Sequence, residues 1–220
     1  MVNDNTMHAR TQFKVLFPAF CLLLLDCLTF DTLQSAKLLS KGDISVVPKY
    51  SLVTYTHTGA PGIESDNFGL LCGVGLTPRF NVYAKYDRLQ LYAYDVGYNF
   101  LDVEPKFAIL KDRIALSLPV GFYFGKDIEY DRSLDIQPTL FLTYTFNRVL
   151  DCTIAPKVVV FVPSFTSVTL ITLVSANMGI HCLSDKIVIV PELGYAAKPW
   201  AMDRFFYGSI GIAYRIHLVR

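Results

Sequence analysis

Charged side chains recur at alternate positions inside otherwise apolar runs of this chain. Lys49, Lys85, Lys106, Lys157 and Arg215 fall in such places, and so do Asp102, Glu104, Asp135, Asp151 and Glu192. Asp102 and Glu104 stand two residues apart, which puts two carboxylates on one face of a strand as a glycosidase acid pair would need. Alternation alone explains that spacing, so no catalytic residue is assigned. Cysteines stand at 21, 27, 72, 152 and 182 without a CxxC pair, and histidines at 8, 57, 181 and 217 without metal-ligand spacing. A GxSxG nucleophile elbow, a P-loop and a GxGxxG turn are all missing from the sequence. No metal or cofactor is therefore expected, and Cys72 and Cys152 read as small apolar filler. Five bases facing five acids in a narrow space most simply pair off and plug it. A small polar pore or binding cavity is the functional alternative.

The elements that position these charges are strands. Phe68 to Phe124 alternates between apolar and small or polar residues through most of its length, a period of two. The same device recurs, giving strands at about 43–54, 67–76, from Arg79, 100–109, 114–124, 133–145, 149–161, 168–181, 187–195 and 205–218. Along the clearest one, Leu101, Val103, Pro105, Phe107 and Ile109 oppose Asp102, Glu104, Lys106 and Ala108. Tight joins are expected at Thr77-Pro78, Lys111-Asp112, Asn147-Arg148 and Ser184-Asp185. Longer ones fall near 55–66, 125–132 and 198–204, with a short loop at 162–167. Residues 87–99 either continue the third strand or fold back as a tyrosine-rich loop. The count is about ten, or eight if one or two segments are loop.

Composition agrees with an all-β, closed, antiparallel up-and-down transmembrane barrel. Hydrophobic residues make up 52% and charged residues 18%, the latter below the usual quarter of a soluble domain. Thirteen Tyr, sixteen Phe and thirteen Gly suit short strands with aromatic girdles. A net charge of +1 gives no basic field for nucleic acid. Strands of 10 to 13 residues span a bilayer when tilted, and membrane strands must close because lipid satisfies no sheet edge. Pro48, Pro105, Pro119, Pro138, Pro156 and Pro191 resist this model, since each removes a ladder donor. Four of them recur as VPKY, EPKF, APKV and VPEL, which suggests a shared position at a rim or bulge.

The N-terminus reads as a targeting segment. Arg10 and Lys14 precede an apolar run, Val15 to Leu25, that is too short for a membrane helix and fits a signal peptide over 1–26. Leu24-Leu25-Asp26-Cys27 resembles the lipobox of bacterial lipoproteins, departing from it at Asp26, where a small residue is usual. Lipidation at Cys27 would hold 27–41 at a membrane surface as a tether with a weak helical turn or two, ahead of a barrel over 42–220.

With Leu24 to Cys27, the inner glycines of GLLCGVGLTPRFNV and the paired segment LDVEPKFAILKDRIALSLPVGFYFG, the chain resembles a small bacterial outer-membrane β-barrel protein of a lipoprotein-like envelope family. The resemblance covers about 43–218. It implies location in the bacterial outer membrane after export through the inner membrane. It also implies contact with membrane lipids and with the outer-membrane assembly machinery. That machinery commonly reads a terminal aromatic, where this chain ends Leu218-Val219-Arg220. Partners in the envelope or outside the cell would meet the longer loops. A structural or surface role follows first, with a lumen mostly filled by side chains. Transport of a small solute or lipid comes next. A soluble periplasmic lipocalin-like lipoprotein, binding lipid inside, would require the apolar faces to turn inward. The polar faces are rich in Gly, Ala, Ser and Thr, which suits a lumen better than water.

Overall fold

The computed structural model describes residues 30–57, 60–92, 95–125, 134–164, 167–183, 186–199 and 204–217. The expected signal peptide and Cys27 lie outside the described residues, as does most of the loop expected at 125–132. Ten strands are present among those described. They are β1 Ile44–His57, β2 Ala60–Thr77, β3 Phe80–Leu91 and β4 Val96–Leu110, then β5 in two pieces, Ile114–Ser117 and Val120–Phe124. Next come β6, also in two pieces, Leu134–Ile136 and Thr139–Thr145, and β7 Leu150–Ser164. The last three are β8 Ser167–Cys182, β9 Ile187–Ala197 and β10 Arg204–Ile216. Each strand pairs antiparallel with the next, and β10 pairs with β1 from Ile44↔Ile216 to Thr56↔Arg204. The sheet therefore closes into a ten-stranded up-and-down barrel, as the alternation pattern predicts.

Sidedness follows the pleat. Val103 and Ile210 on the outer face are 52% and 50% exposed, while Lys106 and Asp135 on the inner face are fully buried. The lipocalin-like alternative fails on this observation, because the apolar faces look outward and the charges look in. Two aromatic girdles bound the outer belt. Phe107, Tyr144 and Tyr214 lie toward the tight turns, and Tyr86, Phe122 and Phe206 toward the other end. From Phe206 to Tyr214 the strand rises roughly 27 Å, or about 20 Å along a barrel axis tilted by about 40°. That approaches the apolar band of an outer-membrane barrel.

Strand ends differ from the sequence expectation. Of the loop expected at 55–66, residues 55–57 and 60–66 are strand: β1 and β2 run on and pair as Thr56↔Pro61 and His57↔Ala60 beyond a register shift at Val53/Thr54. Toward this end the lumen turns apolar, with Val53, Leu89 and Leu91 buried, so the inner positions no longer carry the polar residues that marked the strand. For the same reason β3 and β4 extend to Leu91 and from Val96, settling 87–99 as continued strand around a short join. The loop expected at 162–167 shrinks to the join between Ser164 and Ser167.

The prolines also fall elsewhere. Pro48, Pro105, Pro156 and Pro191 stand at no rim but do share a position: each pairs on one edge, opposite Leu70, Val82, Val174 and Ile210, and on its other edge faces a break in the pairing, as between Val46 and Lys49 along β10. Pro119 and Pro138 are the ones that interrupt strands. Their carbonyls still accept, from Gln137 N–H at 2.9 Å and Val158 N–H at 3.1 Å, and Pro105 O takes Leu118 N–H at 3.1 Å. Each proline inside a ladder forfeits its own donor and the pairing lapses beside it on one edge only, so the wall tolerates it.

The largest departure is the segment before β1. Residues 30–41 form neither a surface tether nor a helical turn. They lie in the lumen, with Phe30, Asp31, Leu33 and Ala36 all buried. Gly42, at φ 86°, turns the chain from the lumen into β1, a conformation that favours glycine.

Candidate functional site

The lumen has two layers. Toward the longer joins it is apolar: Phe100, Tyr123, Phe161, Ile171, Phe205 and Tyr207 converge, and Phe30 packs beneath them with its ring 5.7 Å from that of Phe205. Toward the tight turns it is polar, and there the wall charges meet residues 31–37.

Asp31 sits against Lys49, whose ammonium donates to both carboxylate oxygens at 2.7 Å, and Ser51 donates to it as well. Lys49 also lies 2.6 Å from Asp87, and Lys85 lies 3.2 Å from Asp102 and 4.0 Å from Asp87. A continuous row of alternating charge thus crosses β1, β3 and β4. Such a row is favourable only because every charge has an opposite neighbour.

Glu192 on β9 does something different. It accepts the main-chain N–H groups of Thr32 at 2.9 Å and Leu33 at 2.5 Å, the Thr32 hydroxyl at 2.8 Å and the Tyr207 hydroxyl at 2.8 Å. Leu33 has φ 45°, a left-handed bend that aims two successive N–H groups at one carboxylate. Consecutive amides arranged this way form an anion-binding nest.

Further along, Gln34 is clamped from both sides. Its amide nitrogen donates to Glu104 at 2.8 Å, its side-chain oxygen accepts from Lys106 at 2.7 Å, and its main-chain oxygen accepts from Asn177 at 2.8 Å. Lys106 also donates to Ser35 O at 2.6 Å while its ammonium stands 3.9 Å over the Phe141 ring. Ala36 N–H donates to the Thr143 hydroxyl at 2.7 Å, and Lys37 pairs with Asp151 at 2.8 Å. Lys157 reaches Phe30 O at 3.1 Å and the Gln137 side-chain oxygen at 3.0 Å. Gln137 in turn donates to Asp135 at 2.6 Å, as Tyr123 does at 3.2 Å.

All ten charged positions singled out in the sequence are accounted for. Lys49, Lys85, Lys106, Lys157, Asp102, Glu104, Asp135, Asp151 and Glu192 are buried in the interior. Arg215 is half-buried and lines a small cavity of about 50 Å³ at the turn end, with Leu39, Ser45 and Val190. Pairing among the ten is not the simple neutralisation expected. Lys85 and Asp102 pair with each other, whereas Glu192, Glu104 and Lys106 spend their capacity on residues 32–35. Asp31, Gln34, Asp87, Thr143 and Asn177 belong to the site and were missed. Asp87 fell in a stretch of undecided structure, and residues 30–41 carry no periodicity. The usable signal was the inner glycines: a Cβ on Gly75 would collide with the Ser40 carbonyl.

Among solved structures, an outer membrane channel from Pseudomonas putida F1 is similar at 10% identity, over 86% of this chain and 100% of that one, with a TM-score of 0.52. The fold is that of the bacterial outer-membrane β-barrels. Two other similar structures are the translocator domain of the autotransporter NalP from Neisseria meningitidis and Ail, the attachment invasion locus protein of Yersinia pestis. NalP matches at 11% identity over 97% of this chain and 98% of its own, with a TM-score of 0.45. Ail matches at 13% over 80% and 99%, with a TM-score of 0.37. No family model matches the chain, and no curated protein matches it in sequence. The chain thus has the fold of an outer-membrane barrel, and its interior chemistry has to be read from its own residues.

Proposed function

We propose that this protein is an outer-membrane barrel with a structural or surface role, and that its lumen is sealed. The observation that carries this is the filling of the interior from both directions. Wall aromatics close the half toward the longer joins, and residues 30–41 close the half toward the turns. An outward apolar belt places the barrel in lipid, and the assembly machinery of that membrane would insert it. The β1–β2 hairpin, which stands beyond the girdle, offers the surface for an envelope or extracellular partner.

Residues 1–26 serve as the export signal in this reading. A lipid on Cys27 would have to lie within about 10 Å of the Phe30 backbone, the reach of three extended residues. Mass spectrometry of the mature N-terminus separates a lipidated Cys27 from a bare one.

Planar-bilayer recording of the purified full chain tests the sealed lumen. Silence is expected, together with outer-membrane fractionation and heat-modifiable migration. Stepwise conductance from the unaltered protein would replace this reading with a transport barrel.

A further inference from the structure

The wall grips residues 30–41 largely by their main chain. Phe30 O, Thr32 N, Leu33 N, Gln34 O, Ser35 O and Ala36 N each meet a wall side chain, namely Lys157, Glu192, Glu192, Asn177, Lys106 and Thr143. The segment adds nothing to the sheet, because every strand already has a neighbour on both edges. Its root is tied to the wall backbone through Gly42 N–H to Gly75 O at 2.7 Å.

The gripping side chains are also held independently of what they grip. Glu192 accepts from Tyr207, Lys49 pairs with Asp87, and Lys157 donates to Gln137. Thr143 shares a hydrogen bond of 2.7 Å with Thr153, Asp151 lies 2.7 Å from His181, and Lys106 stands over the Phe141 ring. Withdrawing the segment leaves each of these six with a wall partner. A cradle organised in this way is a binding site, because its geometry is set before the ligand arrives.

We propose that the polar half of the lumen is a binding site for an extended polypeptide, and that residues 30–41 are its resident, exchangeable ligand. This rests on the reading of the chain as a closed outer-membrane barrel. The ligand class is defined by what the wall reads. Main-chain donors and acceptors supply most of the grip. Selectivity comes from a carboxylate at Lys49 and Ser51, a carboxamide between Glu104 and Lys106, and a small residue against Phe141. In this chain these are Asp31, Gln34 and Ala36. Any peptide that presents the same three at the same spacing fits the cradle.

The test uses the full chain with a site-specific protease sequence inserted between Lys41 and Gly42, where the chain is accessible. The protein is folded in detergent micelles, checked for heat-modifiable migration, and then cut. A fluorescent synthetic peptide of residues 28–41 is added and its anisotropy followed. The cut barrel is expected to keep its folded migration and to take up the peptide saturably, with release by unlabelled peptide. Peptides carrying Asp31→Ala or Gln34→Ala should bind at least tenfold more weakly, and uncut protein should take up none. Loss of folded migration on cutting would overturn the proposal by making the segment part of the core. So would a cut segment that never exchanges, or equal uptake by uncut protein. Failure of the barrel reading itself shows earlier, as absence of heat-modifiable migration before the cut.

Discussion

Glu192 accepts the main-chain N–H of Leu33 at 2.5 Å, across 159 residues of sequence. Its other bonds go to Thr32 and Tyr207, so one wall carboxylate holds both the lumen segment and a neighbouring strand. Replacing it by alanine leaves two buried amides and two hydroxyls without their acceptor. Glu192→Ala is expected to cost roughly 2–5 kcal/mol, and Glu192→Gln less, because the amide oxygen still accepts. Urea titration of the folded form in micelles measures the loss. Hydrogen exchange at the Thr32 and Leu33 amides should quicken more than exchange in β1. Equal protection of both regions in the alanine variant would contradict the assigned role.

Lys49 stands between two carboxylates, Asp31 and Asp87, all three buried. Removing the cation leaves two acids facing each other in a medium that stabilises neither. Lys49→Met should therefore destabilise the barrel by about 3–5 kcal/mol, the usual consequence of breaking a buried pair from one side. Adding Asp31→Asn to Lys49→Met should recover part of that loss. A double variant as unstable as the single one would show that the two residues are not coupled.

Lipid contact is checked on β10. Ile210 lies midway between the girdle residues Phe206 and Tyr214, and its side chain is half exposed. Arginine there faces the centre of the bilayer, whereas arginine at position 214 reaches the interface. Ile210→Arg is expected to cost about 2–4 kcal/mol and Tyr214→Arg about 0–1 kcal/mol in vesicles. If both substitutions prove equally mild, the outer belt does not face lipid.

Strand positions and their two faces were legible because lipid and lumen impose opposite demands on alternate residues. Leu101, Val103 and Phe107 against Asp102, Glu104 and Lys106 carry that demand plainly. Where the demand stops, so does the signal. Leu89 and Leu91 are strand, yet they face an apolar part of the lumen, so the polar half of the pattern is missing there. The lumen segment was illegible for a different reason. Asp31, Thr32 and Gln34 owe their order to Lys49, Glu192 and Glu104, and no local periodicity records contacts so far away in sequence. The inward charges were visible, but their partners were not, so a self-neutralising set was expected where much of the capacity is directed at residues 30–37.

Gly75 controls the root of that segment. A Cβ there would meet the Ser40 carbonyl and come to 3.0 Å from Leu39 O, both backbone atoms that cannot rotate aside. Gly75 also donates its N–H to Asp43 O at 2.9 Å and accepts from Gly42, so the wall and the root are in direct contact. Gly75→Val suits the β2 backbone and should leave the ten-stranded ring intact, while pushing residues 39–41 off the wall. Lys37, held by Asp151 in the native lumen, would then be released. With Lys41→Arg in both proteins, so that the exposed root is not itself cut, brief treatment with a lysine-specific protease should cut the valine variant after Lys37 and spare that bond where Gly75 is kept, with heat-modifiable migration unchanged in both. Protection of Lys37 in the valine variant would mean that the segment is seated by its deeper contacts, at Glu192 and Lys49, and not by its root.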